Sequence, residues 1–187
     1  PKQVGALTNW SSVSCGQYYS VSIKTDGTLW SWGRNDYGQL GLNNITYYSS
    51  PKQVGALTTW SFVACGYAHI VSIKTDGTLW AWGRNNPYGQ LGLGNITNYS
   101  SPKQVGALTN WSSVSCGAAH TASIKTDGTL WSWGYNGIGQ LGLGNVTNSN
   151  SANRVLALTN WSSVSCGTAH TASIKTDGTL WAWGRKI

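Results

Sequence analysis

Between residues 18 and 32 two short runs alternate polar with apolar positions on either side of Asp26-Gly27. Alternation of this kind has the period of a half-buried strand. Asp-Gly between two such runs predicts a β-hairpin closed by a two-residue type I′ turn, with glycine accepting the positive φ the turn requires. In the second arm Trp30 and Trp32 fall on one face and Leu29 and Ser31 on the other, because strand side chains alternate. A packed sheet face carrying both indoles is therefore expected. The run from Ser22 to Gly33 returns almost letter for letter at 72–83, 123–134 and 173–184. The chain is an array of one unit, with Gly27, Gly77, Gly128 and Gly178 at the same turn position.

Two further strand candidates precede the first hairpin, at residues 1–4 and 10–16. The opening proline recurs at Pro51 and Pro102, with Ala152 in its place in the last unit, which divides the chain into units 1–50, 51–101, 102–151 and 152–187. Four short strands per unit, with no 3.6-residue apolar period, predict an all-β fold: a β-propeller of four-stranded antiparallel blades, four blade-equivalents per chain. Proline suits an outer edge strand, where a missing N–H is tolerated.

Two recurrent segments carry a family resemblance. Trp-Gly-x-Asn-x-x-Gly-Gln-Leu-Gly stands at 32–41 and 133–142, and with one extra residue at 82–92; Cys-Gly-x-x-His stands at 65–69, 116–120 and 166–170. Both resemble the regulator-of-chromosome-condensation repeat, which implies a propeller and, as one alternative function, a guanine-nucleotide exchange or chromatin-associated role. No long insertion between units offers an exchange wedge. Propellers of this family are typically seven-bladed, whereas four units are present. The last unit lacks an outer strand and residues 1–5 are a spare one. Either that segment closes its own chain into a four-bladed monomer, or it completes a second copy so that a homodimer forms one eight-bladed ring. The dimer is the favoured expectation, since the wedge angle between blades suits about eight better than four.

Composition narrows the rest. The twelve Trp fall three to a unit, and 40% of residues are hydrophobic against 9% charged, which reads as globular. No stretch is long and apolar enough for a membrane helix, and the start does not resemble a secretory signal, so a soluble and preferentially cytoplasmic protein is expected. Cys15, Cys65, Cys116 and Cys166 are one per unit, without the close pairing of a zinc site; small buried side chains are expected, with neither metal nor disulfide. The only acids are Asp36 and the four turn aspartates, and glutamate is absent. No carboxylate pair or nucleophilic triad emerges, so neither an enzyme nor a cofactor is expected.

Tyr19, His69, His120 and His170 share one repeat position. They could ring a central funnel, suited to an anion or a pH switch, or each could order the turn between inner strands by hydrogen bonding. The net charge of +7 recurs around the array without clustering, which disfavours nucleic acid. A non-catalytic scaffold for a protein partner is the leading reading. Its candidate binding loops are those that vary between units and contain Arg34, Asp36, Tyr37, Arg84, Tyr88, Tyr135 and Ile138. Multivalent glycan binding on repeated aromatic faces is the other alternative. The near identity of the units suggests recent amplification or engineering.

Overall fold

The computed structural model describes residues 1–185. Strands β1 (Trp10–Cys15), β2 (Tyr19–Lys24), β3 (Leu29–Gly33) and β4 (Tyr48–Gln53) form the first sheet in that order. The second contains β5 (Trp60–Cys65), β6 (His69–Lys74), β7 (Leu79–Gly83) and β8 (Tyr99–Gln104). In the third are β9 (Trp111–Cys116), β10 (His120–Lys125), β11 (Leu130–Gly134) and β12 (Ser149–Arg154). The fourth has three strands, β13 (Trp161–Cys166), β14 (His170–Lys175) and β15 (Leu180–Gly184). Neighbours are antiparallel throughout, and no helix occurs among the described residues. β5 packs on β1 and β2, β9 on β5 and β6, and β13 on β9 and β10, so the first strand of each blade lies nearest a common axis.

The hairpin arms follow the alternation, but their turn is not type I′. Gly27 N donates to Lys24 O at 2.9 Å and Lys24 N donates to Thr28 O at 3.0 Å, leaving a three-residue loop of Thr25, Asp26 and Gly27. Glycine alone takes a positive φ there, +76° at Gly27, and Asp26 does not. This is a type I turn followed by a left-handed glycine bulge. The aspartate selects it: Asp26 Oδ1 accepts from Thr28 N at 3.0 Å and from Thr28 Oγ1 at 2.6 Å. Those bonds hold the Asp26 carboxyl below its ordinary pKa and fix it in the turn.

The apolar core is divided among the blade junctions. One cluster joins Val21, Ile23, Leu29 and Leu40 of the first blade to Trp60, Ile70 and Trp82 of the second, and two similar clusters follow. The indoles expected to be buried are so to different degrees. Trp82 and Trp133 are fully buried, Trp32 and Trp183 are half-buried, and Trp181 is 42% exposed. The difference is positional. Trp82 Nε1 donates to Gln39 O in the preceding blade's Gly-Gln-Leu-Gly loop at 3.1 Å, as Trp133 does to Gln90 O at 3.0 Å. Trp32 has no preceding blade within residues 1–185, and Trp181 has no following one.

The outer strand expected from residues 1–4 is not formed. Residues 1–9 carry no strand, and the outer side of β15 has no partner among the described residues. Closure of the single chain into a four-bladed ring is thus not made. No packing comparable to that of β13 on β9 joins the fourth blade to the first among the described residues.

Candidate functional loop face

Antiparallel order places the β1–β2 turns and the β3–β4 loops, with their equivalents, at one end of the blades. Arg34 N donates to Tyr18 O at 2.9 Å and Arg84 N to Ala68 O at 2.8 Å, tying each loop to its neighbouring turn. Inside each loop stands a fully buried asparagine, Asn35, Asn85 or Asn136. Asn35 Nδ2 donates to Asn44 O and Thr46 O, both at 3.0 Å, while its Oδ1 accepts from Leu40 N at 2.9 Å. Gln39 Oε1 accepts from Tyr37 N at 2.9 Å. The motif asparagine and glutamine therefore serve as internal struts, and the residues between them are held outward on a fixed backbone.

On that frame the structure brings most of the candidate loop residues together. Arg34 pairs with Asp36, whose other carboxylate oxygen accepts from the hydroxyl of Tyr47. The Arg34 guanidinium lies 5.5 Å from the ring centre of Tyr18, and Arg84 lies 5.0 Å from that of Tyr37 across the blade junction. Tyr88 and Tyr135 stack with ring centres 4.6 Å apart across the next junction. Ile138 is exposed beside this arc without a stacking partner. Tyr18, Tyr47 and Tyr67 belong to the same exposed aromatic surface and were not singled out by sequence. Tyr18 and Tyr67 fill the variable positions after Cys-Gly, where other units have Gln, Ala or Thr, and that variation was the available signal.

The His and Tyr set does not line the axial opening. That opening, of about 460 Å³, is bordered by Cys15, Gly16 and Gln17 and their equivalents. His69 and His120 are completely buried between blades. His69 Nε2 is 3.1 Å from Thr121 Oγ1, which donates to Gln90 O at 2.9 Å. His120 repeats the relay through Thr171 Oγ1 to Gln140 O, with distances of 3.0 and 2.8 Å. Because each threonine hydroxyl spends its proton on a carbonyl, the imidazole must be the donor, with its proton on Nε2. The bare Nδ1 atoms have no hydrogen-bond partner. Burial, and secondarily the neighbouring histidine, push His69 down to about 3 and His120 to about 4. Both are neutral struts at pH 7.

Cys65, Cys116 and Cys166 point their thiols at the carbonyls of Ser14, Ala64 and Ser115 in the preceding blade, at 3.6, 3.6 and 3.4 Å. Burial pushes Cys65 up to about 12 and Cys166 to about 11, so these thiols stay protonated. No cluster of three His, Cys, Asp or Glu side chains fit to hold a metal occurs among the described residues. Lys24, Lys74, Lys125 and Lys175 are buried, with Nζ 3.9, 3.6, 3.8 and 3.8 Å from the ring centres of Trp30, Trp80, Trp131 and Trp181. Four of the positive charges are thereby committed to indole faces and withdrawn from any polyanion surface.

The motif residues on which this architecture rests recur in known proteins. The profile of the regulator of chromosome condensation (RCC1) repeat matches residues 26–73, 76–124 and 127–174, and a second profile of the same description matches 10–39, 60–90 and 111–140. The chain is 40% identical over 144 residues to the Xenopus laevis protein RCC2 homolog, covering 72% of this chain and 28% of that protein. It is 36% identical over 145 residues to the human probable E3 ubiquitin-protein ligase HERC6, covering 73% of this chain and 14% of that protein. Human WBSCR16 superimposes with a TM-score of 0.83 at 26% identity, covering 95% of this chain and 48% of that one. The chain thus spans a minor part of these curated relatives and about half of that solved structure. With three matched repeats covering most of its length, the chain belongs to the RCC1 repeat family.

Proposed function

We propose that the chain is a non-catalytic platform for protein interaction and that the loop face is its docking surface. The observation that carries this reading is the arc of stacked Tyr and Arg side chains, Tyr18, Arg34, Tyr37 and Arg84 followed by Tyr88 and Tyr135, held on loops braced by buried asparagines. Tyr and Arg are the residue types that dominate binding energy at protein interfaces, and stacked rings lose little freedom on docking. The net charge of +7 and the exposed guanidinium groups favour a partner segment of acidic character. In the same reading the platform is a ring completed by a second copy of the chain.

The test is cross-linking of the purified chain to partners captured from cells, with the cross-linked positions identified by mass spectrometry. Links concentrated on Tyr18, Tyr37, Tyr67 and Tyr88 support the reading. Links concentrated on the opposite end, around Thr25 and Thr75, overturn it.

A further inference from the structure

We propose that the cleft between the outer strands of the second and third blades binds a small organic carboxylate with an apolar body, its anionic end taken by Lys125. The cleft, of about 370 Å³, is walled by Leu93, Val105, Leu108, Trp111, Trp131 and Ala152. That volume lies at the lower end of the range for small-molecule sites, about 300–1,000 Å³. It suits a single ring with a short acidic arm better than an extended chain.

The charge on the wall specifies the anion. Lys125 is the one charged residue that borders the cleft, and it is 5% exposed. Its ammonium lies 3.8 Å from the ring centre of Trp131 and 4.8 Å from that of Trp111. It has no ion-pair or hydrogen-bond partner among the described residues, yet Nζ is not one of the side-chain atoms sealed without a partner. The residual exposure of Lys125 therefore includes its ammonium. Asp127, in the adjoining turn, turns Oδ1 to the backbone N–H and hydroxyl of Thr129 instead. Burial lowers the Lys125 pKa from its ordinary value against the opposing pull of Asp127, and Arg154, opposite Trp131 on β12, lowers it further. Indole faces offset part of the cost of burying an ammonium, but they leave its hydrogen-bond donors without an acceptor. A carboxylate supplies one.

The neighbouring junction is an internal comparison. The cleft between the first and second blades, of about 390 Å³, repeats the frame in Leu42, Val54, Leu57, Trp60 and Trp80. Pro102 stands there in place of Ala152, and Lys74 does not border the opening. The Lys74 ammonium sits closer to its indole, 3.6 Å from the ring centre of Trp80. Apolar walls are thus common to both junctions, whereas the cation at the wall belongs to one. In the proposed complex the ring of the ligand lies against Leu108 and the two indoles, and Lys125 donates to its carboxylate in a charge-assisted hydrogen bond.

This inference does not rest on the loop face, so either can fail without the other. The test is titration of the unmodified chain with hydrocinnamate and with its neutral amide, followed by calorimetry and by the indole N–H signals of Trp111 and Trp131 in a proton–nitrogen correlation NMR spectrum. Hydrocinnamate is expected to bind and to move those two signals, and the amide to bind more weakly by about ten-fold or more. Lys125→Met keeps an apolar stem and removes the charge, and should bring the carboxylate down to the affinity of the amide. Leu108→Asp, at an exposed position of the wall, should repel the carboxylate, while Leu57→Asp at the neighbouring junction should leave its binding unchanged. The amide comparison and Leu108→Asp keep the test decisive even where Lys125→Met fails to fold. No binding of hydrocinnamate to the folded chain, equal affinity for acid and amide, or binding indifferent to Leu108→Asp overturns the proposal. A peptide ending in phenylalanine with a free carboxylate should bind more weakly than hydrocinnamate; tighter binding of the peptide would overturn the assignment to a small molecule.

Discussion

Trp82 Nε1 and the carbonyl of Gln39 meet at 3.1 Å although 43 residues separate them in sequence. The bond passes from one blade to the next and is reproduced by Trp133 with Gln90 and Trp183 with Gln140. Gly41 completes the contact, since a Cβ there would stand 2.7 Å from the indole nitrogen of Trp82. Trp82→Ala is expected to cost about 3–5 kcal/mol, the usual range for a large aromatic removed from a core. Trp32→Ala, at the half-buried end position, is expected to cost less. Urea denaturation of the two variants checks the order.

The turn glycines give a graded comparison. At Gly77 a Cβ would strike the carbonyl oxygen of Thr109 in the next blade, whereas at Gly178 nothing stands within 4 Å. Gly178→Ala is expected to cost only the left-handed backbone penalty of about 1–2 kcal/mol. Gly77→Ala should cost more, because the neighbouring backbone must also move. Equal losses in thermal or chemical denaturation would count against the junction role of this glycine.

How far this was legible in the sequence depends on the length scale. Alternation around Asp26-Gly27 and the recurring proline showed the strands and the four units, because those signals are local and repeated. The turn type was misread because the Asp26 carboxylate bonds to Thr28, a side-chain effect that the Asp-Gly pattern alone does not encode. Pairings between units were largely hidden: Arg84 over Tyr37, or His69 with Thr121, join residues about one repeat apart whose contact depends on the angle between blades. Asn35, Asn85 and Asn136 were visible in the repeat motif, but their role as loop struts becomes apparent only once they are seen to be buried.

Acid should loosen the junctions. His69 and His120 have folded-state values of about 3 and about 4 against an ordinary 6.5. The unfolded chain therefore binds protons first, so their contribution to stability is fully present above about pH 6.5 and declines as pH falls toward 3. Denaturation midpoints measured from pH 7 to pH 4 should fall, and the double variant His69→Gln, His120→Gln should show a flatter profile from a lower starting stability. An unchanged slope in that variant would remove histidine from the explanation.

The lysines over tryptophan are expected to stabilise the blades. Lys74 lies 3.6 Å from the Trp80 ring centre and is nearly buried, with burial holding its pKa below the ordinary value. Lys74→Ala should cost about 1–2 kcal/mol through lost stem packing and cation–π attraction. Lys52→Ala, on the exposed part of β4, should change stability by less than about 0.5 kcal/mol. Parallel thermal melts of the two variants read the difference.

The most direct measurement of the docking role is the calorimetric affinity of a captured partner for the unmodified chain, for the Tyr37→Ala, Arg84→Ala double variant, and for Thr75→Ala at the opposite end. Loss of a central Tyr and Arg from an interface is expected to remove about 2–4 kcal/mol, roughly a 30-fold or greater weakening, with Thr75→Ala binding as the unmodified chain does. Unchanged affinity in the folded double variant, or an equal loss in Thr75→Ala, would contradict the loop face as the docking surface.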